Sequence, residues 1–233
     1  MSHVVEHLRA HPILAILRGV PAEHVVPLGR ALRAGGVRSI EVTFTDADAA
    51  DKIAALVRAF GGASEGSTAG MPPGGVMVGA GTVTTRNRAA AAVAAGASFL
   101  VTPHVAGPVN AYAHERGVPV ICGATTATEI ALAQEQGAAL IKLFPAGPLG
   151  PSYLQALLGP YPDADLFAVG GIGPANARDF LEAGAVGLGV GGSLTSLDWT
   201  SPDFDAVTAM ARELVAIVAS VRGPRAARPR YPT

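Results

Sequence analysis

The chain has 233 residues, 49% of them hydrophobic and 15% charged, which is ample apolar material for one sizeable α/β core. Its 17 basic residues stand against 18 acidic ones for a net charge of -1, and aromatics make up 5%, a balance that argues against a nucleic-acid or polyanion surface. A single cysteine, Cys122, excludes an internal disulfide, and no apolar run reaches the roughly 18–20 residues of a membrane span, so a soluble, cytoplasmic chain is expected.

The opening MSHVVEHLRAHP reads as a short amphipathic helix stopped by Pro12, without a charged-then-apolar leader pattern. Ile13 to Leu17 is the first strand, and Ala22 to Ala34 a helix closed by Gly35-Gly36. Val37 to Phe44 is the second strand, after which Asp46 is expected to cap a helix running to Phe60. Strands then follow at Val76–Ala80, Ser98–Thr102, Val118–Cys122, Ala139–Phe144, Leu166–Val169 and Ala185–Val190. Between them lie helices at Thr85–Ala95, Pro108–Arg116, Ala127–Gln136, Ser152–Leu158 and Pro174–Ala183, and a last helix spans Phe204–Val221.

Strict alternation of near-continuous apolar strands with helices implies a parallel sheet buried on both faces. Some eight such units in this length predict a closed (β/α)8 TIM barrel with a short N-terminal helix. The rival, a doubly wound sheet, would show GxGxxG at the first strand-helix turn, where this chain has Arg18-Gly19-Val20-Pro21. Residues 1–222 are read as one barrel domain. Within it, 61–75 (GGASEGSTAGMPPGG) is a low-complexity insertion expected to be flexible, and 223–233 (GPRAARPRYPT) is expected to be a disordered, solvated tail.

In such a barrel the active residues stand at the C-terminal ends of the strands. Those positions hold Arg18 on strand one; Glu41, Thr43 and Thr45 on or after strand two; and Thr82 after strand three. They go on with Pro103 and His104 after strand four, Gly123 and Thr125 around strand five, and Lys142 and Phe144 on strand six.

Lys142 sits in Ala-Leu-Ile-Lys-Leu-Phe-Pro, and the period of two puts it on one face with Leu140 and Phe144. Burial disfavours an ammonium and leaves the amine available as a nucleophile. The pattern alone leaves imine formation and a strand-end ion pair equally open. Glu41 is a second isolated charge, in Ser-Ile-Glu-Val-Thr, suited either to proton transfer beside Lys142 or to an ion pair. Arg18 would clamp a substrate carboxylate or neutralise Glu41.

Gly170-Gly171 and Gly191-Gly192-Ser193 close strands seven and eight, the place where this fold most often binds phosphate on backbone N–H groups. Tight turns for helix packing are the alternative. The 6 histidines show no metal-ligand spacing, so neither metal nor cofactor is expected, and Cys122 reads as a small buried hydrophobe.

Six segments taken in order resemble a known family. They are Ala-Gly-Gly-Val-Arg-Ser-Ile-Glu-Val-Thr (34–43), Val-Gly-Ala-Gly-Thr-Val (78–83), Val-Thr-Pro (101–103), Ile-Lys-Leu-Phe-Pro-Ala (141–146), Gly-Gly-Ile (170–172) and Gly-Gly-Ser (191–193). Over residues 10–220 the chain resembles the class I 2-keto-3-deoxy-6-phosphogluconate (KDPG) aldolases, with their 4-hydroxy-2-oxoglutarate and 6-phosphogalactonate relatives.

The resemblance implies a Schiff-base lysine at Lys142 and a general acid/base at Glu41. It also implies a keto-acid end lined by Thr82, Pro103 and Phe144 with Arg18 close by, and phosphate on Gly170, Gly171, Gly191, Gly192 and Ser193. The substrate would be a small 2-keto sugar acid phosphate, and the assembly a homotrimer without nucleic-acid or membrane partners. Thr45 stands where the 6-phosphogluconate members carry arginine, and Val169 where they often carry threonine. The run Lys-Leu-Phe-Pro-Ala-Gly-Pro-Leu-Gly-Pro-Ser-Tyr (142–153) with Phe-Ala-Val-Gly-Gly (167–171) looks more like the 6-phosphogalactonate members, so the C4 configuration of the substrate stays open. A different phosphate-binding barrel enzyme and a sugar-phosphate sensor are the other readings. Neither needs a lysine on strand six.

Overall fold

The structure, a computed structural model, describes residues 3–60 and 75–221. Except for Gly75, the 61–75 insertion lies outside the described residues, as does the 223–233 tail.

The eight strands are β1 (Ile13–Leu17), β2 (Ser39–Thr43), β3 (Met77–Gly81), β4 (Leu100–Val101), β5 (Val120–Ala124), β6 (Leu140–Leu143), β7 (Leu166–Val169) and β8 (Gly187–Val190). They pair in parallel in chain order, and β8 returns to β1 to close the barrel. The principal helices are α1 (His3–Ala10), α2 (Ala22–Ala34), α3 (Ala49–Phe60), α4 (Arg86–Ala94), α5 (Gly107–His114) and α6 (Ala127–Glu135). After them come α7 (Ala146–Leu149), α8 (Pro151–Leu158), α9 (Pro174–Glu182), α10 (Gly192–Thr195) and α11 (Phe204–Val221). The expected barrel with its N-terminal helix is therefore present.

Local chemistry sets several of the helix starts. Thr85 accepts the backbone N–H of Arg88 at the start of α4. Thr126 and Glu129 form a reciprocal capping box on α6. Asp46 departs from expectation. Its carboxylate does not cap α3, which begins three residues later, but turns to the β1–α2 loop and to Lys52. The paired part of β2 is shorter than its apolar run, and β4 is only two residues long. The short helices α7 and α10 are absent from the sequence reading, because four residues carry too little periodicity to register.

Register determines which side chains share the barrel interior. Ile16 pairs with Glu41, Glu41 with Gly79, Gly123 with Lys142, Lys142 with Phe167, and Val169 with Gly189. An apolar cluster containing Leu14, Ile16, Met77, Phe99, Val101, Ile121, Leu140, Phe167 and Val169 fills that interior. Val5 and Leu8 of α1 join the same cluster and plug the N-terminal mouth. Burying each such side chain contributes about 1.5–3 kcal/mol.

The interior alternates large and small residues. A side chain on Gly79 would overlap the Phe99 ring, and one on Gly187 the Phe167 ring. A second, larger apolar layer lies between the strands and the outer helices, and there Cys122 is buried like a small hydrophobe. Among the described residues no helix is long and apolar enough to cross a membrane.

Candidate active site

Two ionisable side chains interrupt the apolar interior of the barrel. Glu41, on β2, is 0% exposed, and Lys142, on β6, is 4% exposed. Lys142 faces inward as the period-two pattern predicts, one strand from Gly123 and one from Phe167. Its ammonium Nζ lies 5.1 Å from the centre of the Phe144 ring, whose electron-rich face attracts a cation.

Neither oxygen of the Glu41 carboxyl has a hydrogen-bond partner among the described residues. Burial pushes this carboxyl above the ordinary carboxylate range, against the opposing pull of the Lys142 and Arg18 charges. Glu41 therefore feels both cations without a direct hydrogen bond to either. The ion-pair alternative for Glu41 is not seen. A buried carboxyl whose neutral form is favoured in this way can hold and pass on a proton, which is what a general acid/base requires.

Above Lys142 opens a cleft of about 680 Å³, within the range of ligand pockets. It lies at the C-terminal end of the strands. Its lining includes Arg18, Lys142, Phe144, Gly170, Gly171, Gly191, Gly192 and Ser193, so eight of the eleven residues to which the resemblance gives a role meet in one cavity. Among the described residues Arg18 and Lys142 are its two cationic side chains, and none of those lining it carries a carboxylate.

The other three residues stand beside the cleft and not on its wall. Glu41 lies deeper, against Gly81, whose missing side chain leaves the space for the carboxyl. Thr82, the next residue, adopts φ +55°, and its carbonyl accepts a hydrogen bond from Arg88 Nη1 at 3.3 Å. A non-glycine residue in this left-handed region is uncommon and clusters at functional sites. Pro103 packs its backbone over Gly123, the register neighbour of Lys142. His104 is exposed.

The glycine turns form a shallow cradle at the far end. Gly170 and Gly171 take φ +90° and +74°, and the Phe144 ring lies 2.9 Å from where a side chain on Gly170 would stand. Asn176, which the sequence reading did not include, is the brace of this loop. Its Oδ1 accepts the N–H of Gly173 at 3.0 Å, and its Nδ2 donates to the carbonyl of Gly171 at 2.8 Å. The signal for it was the Gly-Pro start of α9, which puts Asn176 at the third helical position, within reach of the N-cap N–H. On the facing side α10 begins at Gly192, so the first turn of a short extra helix opens on the cleft. Among the described residues no three His, Cys, Asp or Glu side chains group as a metal site.

Comparison with known proteins identifies the family. The family model described as KDPG and KHG aldolase matches residues 4–210. The chain belongs to the KDPG and KHG aldolase family. It is 35% identical over 216 residues to the KHG/KDPG aldolase of Escherichia coli (strain K12), spanning 89% of this chain and 92% of that one. It is 34% identical over 185 residues to the 2-dehydro-3-deoxy-6-phosphogalactonate aldolase of the same organism, spanning 78% and 84%. Among solved structures, native KDPGal superposes with a TM-score of 0.79 at 29% identity, over 90% of this chain and 95% of that chain. As a member of this aldolase family the chain is a carbon-carbon lyase on the (β/α)8 scaffold.

Proposed function

We propose that this chain is a Schiff-base aldolase that cleaves 2-keto-3-deoxy-6-phosphogluconate or its C4 epimer, the galactonate, to pyruvate and glyceraldehyde 3-phosphate. The observation that carries this reading is Lys142. It is a buried amine on the barrel interior, at the floor of a cleft that holds one further cation and a glycine cradle.

In this reading the neutral amine of Lys142 attacks the C2 ketone, and the carbinolamine loses water to give a protonated imine. Removal of the C4 hydroxyl proton lets the C3–C4 electron pair move into the imine, forming an enamine and releasing the aldehyde. Protonation at C3 and hydrolysis return the amine and free pyruvate. Glu41, buried close enough for the Lys142 charge to act on it, relays the protons of these steps. Arg18 holds the substrate carboxylate with Thr82, Pro103 and Phe144 around the keto-acid end, and the Gly170–Gly171 and Gly191–Ser193 turns hold the phosphate.

Borohydride added to the protein with pyruvate tests the chemistry. The expected result is a pyruvate-derived mass on Lys142, and an active enzyme that gives no adduct would sink the imine. Cleavage rates on the two 6-phosphates and on 4-hydroxy-2-oxoglutarate test the substrate. A strong preference for the unphosphorylated acid would overturn the phosphate assignment.

The family resemblance also supports a homotrimer, tested by the sedimentation mass. The lone cysteine, reduced and buried, fits a cytoplasmic enzyme, tested by cell fractionation.

A further inference from the structure

Lys52, on α3, has no part in the chemistry above, yet it is 5% exposed. Its Nζ lies 2.9 Å from Asp46 Oδ2 and 2.8 Å from Asp48 Oδ1. Burial works against its charge, but the hydrogen bonds to Asp48 and Asp46 more than offset this and hold its pKa above the ordinary lysine value. A buried lysine whose charge is held by two carboxylates is a fixed structural point.

What it fixes is the backbone around Arg18. Asp46 Oδ2, the oxygen that meets Lys52, also accepts the backbone N–H of Gly19 at 3.2 Å. Thr43 Oγ1 donates to the carbonyl of Leu17 at 3.2 Å. Between these two ties stands Thr45, whose hydroxyl is 2.8 Å from Thr43 Oγ1 and 3.2 Å from Asp46 Oδ1. Leu17 and Gly19 flank Arg18, so the backbone on both sides of it is tied to the segment 43–46. That segment is in turn clamped to α3 by Lys52.

Arg18 itself is exposed, and a long side chain keeps little direction of its own. Its aim into the cleft depends on the backbone that carries it. Gly19, next to it, takes the left-handed φ of +65° that glycine adopts without strain.

We propose that Lys52 and Asp46 are positioning residues for Arg18, setting where its guanidinium meets the substrate carboxylate. This rests on the reading of Arg18 as the carboxylate clamp.

The test is a double-mutant cycle on the full chain, read as KM and kcat for cleavage of the better of the two 6-phosphates. Lys52→Met keeps the apolar stem and removes the charge. It should raise KM about tenfold, the weight of one charge-assisted contact, and change kcat less than about threefold. In the Arg18→Ala background the same change should leave KM within about twofold, because the two act through one group. Lys52→Arg should restore most of the loss. Asp46→Ala serves as the second variant should Lys52→Met fail to fold, with the same dependence on Arg18 expected.

An unchanged KM in the single variant, or an equal rise in both backgrounds, overturns the proposal. If Arg18→Ala alone leaves KM unaltered, the clamp reading falls and the proposal falls with it. Borohydride trapping of pyruvate on Lys142 reports separately on the imine.

Discussion

The carboxyl of Glu41 occupies the space that a side chain on Gly81 would need. The two residues stand on adjacent paired strands, and any β-carbon at position 81 would overlap the carboxyl group. In the proposed mechanism the glycine is part of the acid/base apparatus, although it has no functional group. Gly81→Ala should displace Glu41 and lower kcat by about 10²-fold or more, the lower range for loss of a general acid/base. Gly79→Ala on the same strand is the control, since its added carbon would meet the Phe99 ring instead. It should cost about 1–3 kcal/mol of stability by overpacking while the folded fraction keeps its kcat. Thermal melts and steady-state kinetics on both variants separate the two effects.

Glu41 should also write itself into the pH dependence of stability. Its folded pKa is raised by burial. The stability it contributes is thus full below its unfolded pKa and is lost as pH rises through the folded value. Glu41→Gln should melt higher than the parent at neutral and alkaline pH, by about 2–4 °C for each kcal/mol relieved. The advantage should vanish toward acid pH, below the ordinary carboxylate range. The same variant should lose about 10²–10⁴-fold in kcat. Melting curves across pH check the first statement and cleavage rates the second.

Removing the Lys142 charge should move Glu41 further. Among the charges, Lys142 is the leading influence that lowers the Glu41 pKa, so in Lys142→Met the carboxyl should titrate higher still. Carbon-13 NMR of labelled glutamate reads that shift directly. Lys142→Arg keeps a cation but cannot form an imine, and its cleavage should fall by on the order of 10⁴-fold or more. A residual activity near the parent's would refute the covalent role.

Asn176 offers a test of the proposed phosphate end alone. It ties Gly173 and Gly171 together through one amide. Asn176→Ala should loosen the cradle, raise KM for a phosphorylated substrate about tenfold and cost about 1 kcal/mol of stability through its lost hydrogen bonds. Borohydride trapping of pyruvate, which carries no phosphate, should proceed at the parental rate.

Much of this molecule could be read from the order of its residues. Apolar runs separated by glycine-capped helices define a parallel barrel, because a strand covered on both faces must be apolar throughout. Against that background Lys142 and Glu41 stand out as the charges that burial ought to forbid, and the period of two already assigned Lys142 its face. Where the chain carries local chemistry, as in the capping box of Thr126 and Glu129, the helix began where expected.

Other features had no local signature. Asp46 looked like a helix cap, since nothing in its neighbours shows that the Gly19 N–H and the Lys52 ammonium lie within its reach. The space for Glu41 depends on strand β3, and the brace of the glycine cradle on the start of α9. The residue pattern determined which reactive side chains the chain carries and, for Lys142, which face of its strand it takes. Only closure of the barrel, which sets β1 beside both β2 and β8, decided that Arg18, Lys142 and the glycine turns of β7 and β8 would share one cleft. Register between strands distant in sequence is a property of the whole packed sheet, and no segment encodes it alone.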